Sequence, residues 1–203
     1  MSRPMTFPNP MLIVVSGPSG VGKSTIVAEL ARRHPQVVPI VTATTRDRRP
    51  GEQDGVHYHF MDPDSFARLQ ADGGLLESAE VHGHWYGTPI DQIRGILRAG
   101  RDAVLTIDPQ GARAVRAAVP DALLIFVMPP SLEALDARLT KRGSEGAADQ
   151  ALRRSNAAGE MAAAADYDRT IVNETGHAGE AAEQIWEVIQ AEARRDPPRQ
   201  VSL

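Results

Sequence analysis

Gly17-Pro18-Ser19-Gly20-Val21-Gly22-Lys23-Ser24 has the G-x-x-x-x-G-K-[ST] spacing of a phosphate-binding loop. Glycines at these positions let the backbone turn its N–H groups inward around a polyphosphate, which then sits at the positive end of a helix. Lys23 supplies a compact cation for the outer phosphates, and the Ser24 hydroxyl is a ligand for Mg²⁺. A glycine-rich turn that binds nothing could share these letters, so the flanks decide. Met11-Leu12-Ile13-Val14-Val15-Ser16 before it reads as a buried parallel strand, and Ile26, Val27, Leu30 and Ala31 after it recur at helical spacing. Strand, loop and helix together are the context the motif requires. Gly17 through Thr25 is therefore the expected binding segment for a nucleoside triphosphate, ATP in the first instance.

Two arginine pairs offer further phosphate chemistry. Arg46 and Arg49 lie three apart in a turn-rich stretch and can form a paired guanidinium clamp, which suits the bidentate geometry of phosphate. Arg138 and Arg142 are one helical turn apart and can point at one site; as solvent-facing cations they would equally suit a helix C-terminus.

The elements that must position these groups alternate. Strands are expected at Ala103 to Asp108, Ala122 to Val127 and Arg169 to Asn173, separated by helical patterning, which argues for a parallel sheet covered on both faces. Ser131 can cap a helix carrying Leu132, Leu135 and Leu139, and Ala181, Ala182, Ile185, Val188 and Ile189 give a closing amphipathic helix. Residues 42 to 90 break the alternation and read as an inserted subdomain. Residues 140 to 160 are small and polar but punctuated by arginines, as a lid over phosphates would be. On composition alone that segment is an ordinary solvated loop.

Bulk properties exclude several classes. A length of 203 residues fits one large domain, and a net charge of −4 gives no global field toward nucleic acid or membrane. With no cysteine, disulfides, thiolate metal sites and cysteine nucleophiles are ruled out, and a reducing cytoplasm is the expected compartment. No apolar stretch approaches the about 20 residues of a membrane span. Met1 to Pro10 carries three prolines and reads as a loose leader.

The inserted stretch adds a family pattern. Thr44-Thr45-Arg46-Asp47-Arg48-Arg49-Pro50-Gly51-Glu52 and Gly55-Val56-His57-Tyr58-His59-Phe60 closely resemble the substrate-binding signature of guanylate kinases. So do Leu76-Glu77, Tyr86-Gly87-Thr88, Asp108-Pro109-Gln110-Gly111, Arg138-Leu139-Thr140-Lys141-Arg142-Gly143 and Ile171-Val172-Asn173. The resemblance runs from about Met11 to the last helix. It implies a three-layer α/β phosphate-loop kinase fold with a parallel core sheet, an inserted GMP-binding subdomain and a short lid. The implied division is a leader at 1–10, a kinase-like domain at 11–196 and a polar tail at 197–203. Within that domain the core takes about 11–41, 89–139 and 161–196, the GMP subdomain about 42–88 and the lid about 140–160.

The resemblance also implies roles. It places Arg46, Arg49, Tyr58 and Tyr86 on the acceptor's phosphate, and Glu77 and Thr88 on the base, with Asp108 nearby. Guanine presents N1–H and an amino group side by side, which one carboxylate can accept together; its O6 wants a hydroxyl donor, available from Thr88 or Thr42. Adenine would leave Glu77 unpaired. Asn173 matches a position bordering the donor's adenine, and Arg138, Arg142 and Arg153 match arginines that close on the triphosphate. The implied reaction is ATP with GMP (or dGMP), assisted by Mg²⁺, giving ADP and GDP.

Three departures stand out. Thr106 occupies a position where the family commonly has a carboxylate, Thr42 replaces the more usual serine, and no acidic run follows Arg142-Gly143. A kinase of phosphorylated sugars should lack the base-reading pair, and a catalytically dead scaffold should show a damaged phosphate loop. Glu77 with Thr88 and the intact Gly22-Lys23-Ser24 weigh against each in turn.

Overall fold

Leu-Ile-Val-Val-Ser of β1 (Leu12–Ser16) is buried at every position, as a strand covered by helices on both faces must be. The computed structural model describes residues 9–81, 83–141 and 159–203. After β1 come α1 (Lys23–Arg33), β2 (Val37–Pro39), β3 (Ala43–Thr44), β4 (His59–Phe60), α2 (Pro63–Ala71), β5 (Leu75–Val81) and β6 (His84–Pro89). Then follow α3 (Ile90–Arg98), β7 (Asp102–Thr106), α4 (Pro109–Ala118), β8 (Leu123–Met128), α5 (Leu132–Lys141), a 3-10 turn at Ala163–Asp166, β9 (Arg169–Val172) and α6 (Ala178–Ala193).

The core sheet has the order β2-β7-β1-β8-β9 and is parallel throughout. Successive side chains of a strand point to opposite faces, and β1 shows what covers each. Ile13 and Val15 pack with Ile26 and Leu30 of α1 and with Ile185 and Ile189 of α6. Leu12 and Val14 pack with Ile93 of α3 and with Ala112 and Val115 of α4. Three layers result, and the phosphate loop follows the carboxyl end of β1, the end of such sheets where ligands bind.

A second sheet, order β4-β3-β6-β5, is built from residues 43–89. Its β3–β4 pair is parallel, while β3–β6 and β5–β6 are antiparallel. α2 covers one face with the buried Phe66. Gly87 in β6 accommodates that approach, because a Cβ there would lie 2.8 Å from Leu75 and 3.0 Å from Phe66. The helix starts on a good signal: Asp62 accepts the Ser65 N–H at 2.9 Å and Pro63 follows in the first turn.

Some expectations need amendment. The strand expected at Ala103 to Asp108 ends at Thr106, and Asp108 instead caps α4 by accepting the Gly111 N–H at 2.8 Å. The stretch 197–203, read as a polar tail, is partly buried: Arg199 pairs with Glu192, and Val201 and Leu203 pack against the core. Its burial comes from the apolar core and from Glu192, Asp168 and the Ala122 carbonyl, contacts that composition does not reveal. The leader's first eight residues and nearly all of the lid stretch lie outside the described residues, as do Arg142 and Arg153. Among the described residues no helix is long and apolar enough to cross a membrane.

Candidate active site

The phosphate loop is shaped by contacts that tolerate only glycine. At Gly17 φ is +145° and a Cβ would collide with the Val127 carbonyl oxygen; at Gly22 φ is +104° and a Cβ would lie 2.7 Å from Asn173 Nδ2. Gly22 caps α1 with no side-chain hydrogen bond, so the first-turn N–H groups keep their capacity for an anion. Lys23 folds back over the loop, its Nζ donating to the carbonyls of Gly17 at 2.6 Å and Pro18 at 3.1 Å. Ser24 and Thr25 are exposed on the first turn of α1.

The far side of the loop is braced. The Val21 carbonyl accepts from Asn173 Nδ2 at 2.7 Å and from Arg138 Nη1 at 2.9 Å. Arg138 Nη2 also donates to the Asn173 carbonyl at 2.8 Å and to Thr175 Oγ1 at 3.1 Å. Thus Arg138 and Asn173 tie α5 and the end of β9 to the loop. Asn173 is buried, and its Oδ1 has no hydrogen-bond partner among the described residues.

The second sheet gathers the acceptor candidates. Arg46 makes a two-point pair with Glu52, Nη2 to Oε1 at 2.8 Å and Nη1 to Oε2 at 3.0 Å. Its guanidinium carbon lies 5.4 Å from the Tyr58 ring centre and 5.7 Å from that of Phe60. The Tyr58 and Tyr86 rings meet edge to face at 6.0 Å. The Arg46 bond holds the Glu52 carboxyl at about 2, and burial raises the Tyr58 hydroxyl, which stays a protonated donor at neutral pH. Arg49 is exposed at the rim.

Tyr86 and Thr88 share one face of β6 because they are two residues apart. On neighbouring β5, Ser78 pairs with Gly87, so Glu77 comes beside Thr88. The Thr88 hydroxyl donates to Glu77 Oε1 at 2.6 Å. Burial pushes the Glu77 carboxyl above its ordinary value; the Thr88 bond opposes this and the Asp108 charge adds to it. Thr42 lies next to β3, its carbonyl accepting the His59 N–H at 2.8 Å.

Two acids went unassigned in the sequence reading. Glu52 had a local signal: Arg49-Pro50-Gly51-Glu52 forms a turn closed by Glu52 N–H to Arg49 O at 3.1 Å, with Gly51 at φ +85°. Proline then glycine is the type II pattern, and it folds Glu52 back toward Arg46. Glu160 had none. Its Oε2 accepts the Ser19 N–H of the loop at 3.3 Å, and burial raises its carboxyl while the Lys23 charge opposes the rise.

Comparison with known proteins agrees with this geometry. The family model described as guanylate kinase matches residues 9–192. A guanylate kinase of Thermobifida fusca (strain YX) is 49% identical over 180 residues, covering 89% of this chain and 91% of that protein. One from Streptomyces coelicolor (strain ATCC BAA-471 / A3(2) / M145) is 49% identical over 164 residues, covering 81% and 83%. The crystal structure of guanylate kinase from Anaplasma phagocytophilum superposes with a TM-score of 0.76 at 32% identity, covering 94% of this chain and 90% of that one. With the phosphate loop, the second sheet and nearly the full length matched, the chain belongs to the guanylate kinase family.

Proposed function

We propose that this nucleoside monophosphate kinase moves the γ-phosphoryl group of ATP to GMP (or dGMP), giving ADP and GDP, in the cytoplasm. The observation that carries the acceptor assignment is the half-buried Glu77, held by Thr88 on the same subdomain as the Arg46 pair. A carboxylate set there accepts guanine N1–H and the 2-amino group together, and adenine offers neither. Because Thr88 has one hydroxyl proton and gives it to Glu77, Thr42 is the donor left for O6 in this arrangement.

Phosphoryl transfer asks the protein for positioning and charge more than for covalent chemistry. The loop from Gly17 to Thr25 cradles the donor phosphates through its N–H groups. Lys23 swings from the Gly17 and Pro18 carbonyls to the outer phosphates. Arg46, Arg49, Tyr58 and Tyr86 hold the acceptor phosphate, while Asp108 lies between the two sites, its charge felt by both Glu77 and Glu160. Asn173 and Arg138 keep the loop's shape; Arg138, Arg142 and Arg153 are the cations for the transferred group. Among the described residues no cluster of three acidic, histidine or cysteine side chains could hold a metal alone. The exposed Ser24 hydroxyl on the first turn of α1 is the group that would hold Mg²⁺ together with phosphate oxygens and water, as this reluctantly dehydrated cation prefers. Held by the Ser24 hydroxyl, Mg²⁺ would supply positive charge that neutralises the phosphates during transfer.

The test is an ADP-release assay with ATP against GMP, dGMP, AMP and a sugar monophosphate. Turnover confined to the guanine nucleotides is expected. Preferred use of AMP or of the sugar phosphate would overturn the acceptor assignment.

A further inference from the structure

The clamp arginines are organised by a single carboxylate. Glu52 Oε1 takes Arg46 Nη2, while Oε2 takes both Arg46 Nη1 at 3.0 Å and the Arg49 backbone N–H at 2.8 Å. Arg46 Nη1 is further fixed by the Asp47 carbonyl at 2.6 Å. The pair is largely enclosed, with 10% of the Arg46 and 19% of the Glu52 side chain exposed. Tyr58 and Phe60 flank the guanidinium, so its plane has little freedom.

A guanidinium has five N–H groups. Both on Nη1 and one on Nη2 are engaged by Glu52 and Asp47. The side-on fork of Nε–H and the second Nη2–H is the edge that Glu52 and Asp47 do not take, and the Tyr86 hydroxyl also bonds this guanidinium. We infer that Glu52 is the positioning residue of the acceptor clamp: it grips Arg46 end-on so that the side-on fork meets the acceptor phosphate, and it fixes Arg49 through the same carboxylate. This rests on the reading of Arg46 as a ligand of that phosphate.

Glu52→Gln keeps the size of the side chain but turns one acceptor into a donor facing Arg46, which is itself a donor. GMP affinity, measured by titration calorimetry, should weaken about ten- to a hundredfold, the loss of a charge-assisted pair. ATP affinity should hold. A merely structural role in the turn would lower GMP affinity whatever stands at position 46, so the deciding measurement is a double-mutant cycle with Arg46→Ala. Glu52→Gln should cost far more GMP affinity beside Arg46 than beside Ala, where only its contact with the Arg49 backbone remains to be lost. An equal loss in both backgrounds, or no loss beside Arg46, overturns the inference while leaving the clamp intact. Wild-type GMP affinity in Arg46→Ala alone would instead remove the clamp reading and this inference with it. If Glu52→Gln does not fold, Glu52→Asp, which keeps the charge but shortens the reach, carries the same cycle with the same outcomes.

Discussion

Thr88 gives its hydroxyl proton to Glu77 Oε1 at 2.6 Å, and the two residues sit side by side on β6 and β5. The hydroxyl has one proton, so Thr88 acts first on Glu77. It points the carboxylate and restrains the rise that burial imposes on its ionisation. If Glu77 reads the base as proposed, that recognition is coupled to a half-buried hydrogen bond within the protein.

Thr88→Val removes that donor at nearly constant volume. Glu77 is raised by burial and lowered by the Thr88 bond, so losing the bond lifts it further. Only the ionised carboxylate accepts two guanine N–H groups, hence the acid limb of kcat/KM for GMP should move to higher pH. At neutral pH the loss should be about 1–3 kcal/mol in transition-state binding. Thr88→Ser should keep the wild-type limb. A pH profile of Thr88→Val that superposes on wild type would show that Thr88 does not tune Glu77.

Lys23→Met tests the donor side. In the structure the ammonium rests on the Gly17 and Pro18 carbonyls, poised at the loop mouth. Its charge gains value as negative charge grows on the bridging oxygen, so kcat at saturating ATP should fall by at least about 10²–10³. The urea midpoint should stay near wild type, because the ammonium is only partly buried and water can replace it on the carbonyls. A rise in KM for ATP with kcat unchanged would assign Lys23 to ground-state binding alone.

Legibility followed sequence distance. The phosphate loop was readable because strand, loop and helix are contiguous, and α1 and α6 because their buried residues recur at helical period. The second sheet showed only as a break in pattern. No position of β5 is fully buried, so Leu75–Val81 carries no clean alternation. α2 carries a local start signal in Asp62-Pro63, but at nine residues it is too short to stand out from the turns around it. The Asn173–Val21 bond spans 152 positions, which no local pattern records. Glu52 lies inside the signature, and the Pro50-Gly51 turn is a local signal that folds it toward Arg46, but the two-point grip itself is set by the folded segment.

Arg199 is the place to separate stability from catalysis. Its side chain is 5% exposed and pairs with Glu192 at 2.9 Å and Asp168 at 3.5 Å. It also donates to the Ala122 carbonyl at 3.2 Å, at the amino end of β8 and so opposite the phosphate loop. Arg199→Met keeps much of the packing but leaves Glu192 with the more exposed Arg169 at 3.4 Å. Breaking a buried pair on one side costs about 3–5 kcal/mol, and the remaining arginines should bring this to the lower end. Urea denaturation should show that loss while kcat/KM for GMP is retained. Unchanged stability would mean that the tail adds nothing to the core it covers.

Asp102 sets the expected pH dependence of folding. The residue is 1% exposed; Oδ1 accepts the Met11 N–H at 2.8 Å, and Oδ2 has no partner among the described residues. Burial pushes its carboxyl from 3.8 to about 6, the Met11 bond opposing. In the window between those values the folded protein holds a proton that the unfolded chain has lost. Its contribution is therefore fully present below the lower value and is lost as pH rises through about 6. Two units of difference correspond to at most about 3 kcal/mol. Other carboxyls, Glu52 and Asp168 among them, are shifted downward and lose stability on acidification instead. The informative quantity is thus the difference between wild type and Asp102→Asn, which keeps an oxygen for the Met11 N–H and cannot ionise. Denaturant unfolding measured from pH 4 to pH 8 should show the variant gaining on wild type through this window, then a constant offset. Parallel curves across the whole range would mean that Asp102 does not hold its proton in the fold, and that its Oδ2 finds a partner the present contacts do not reveal.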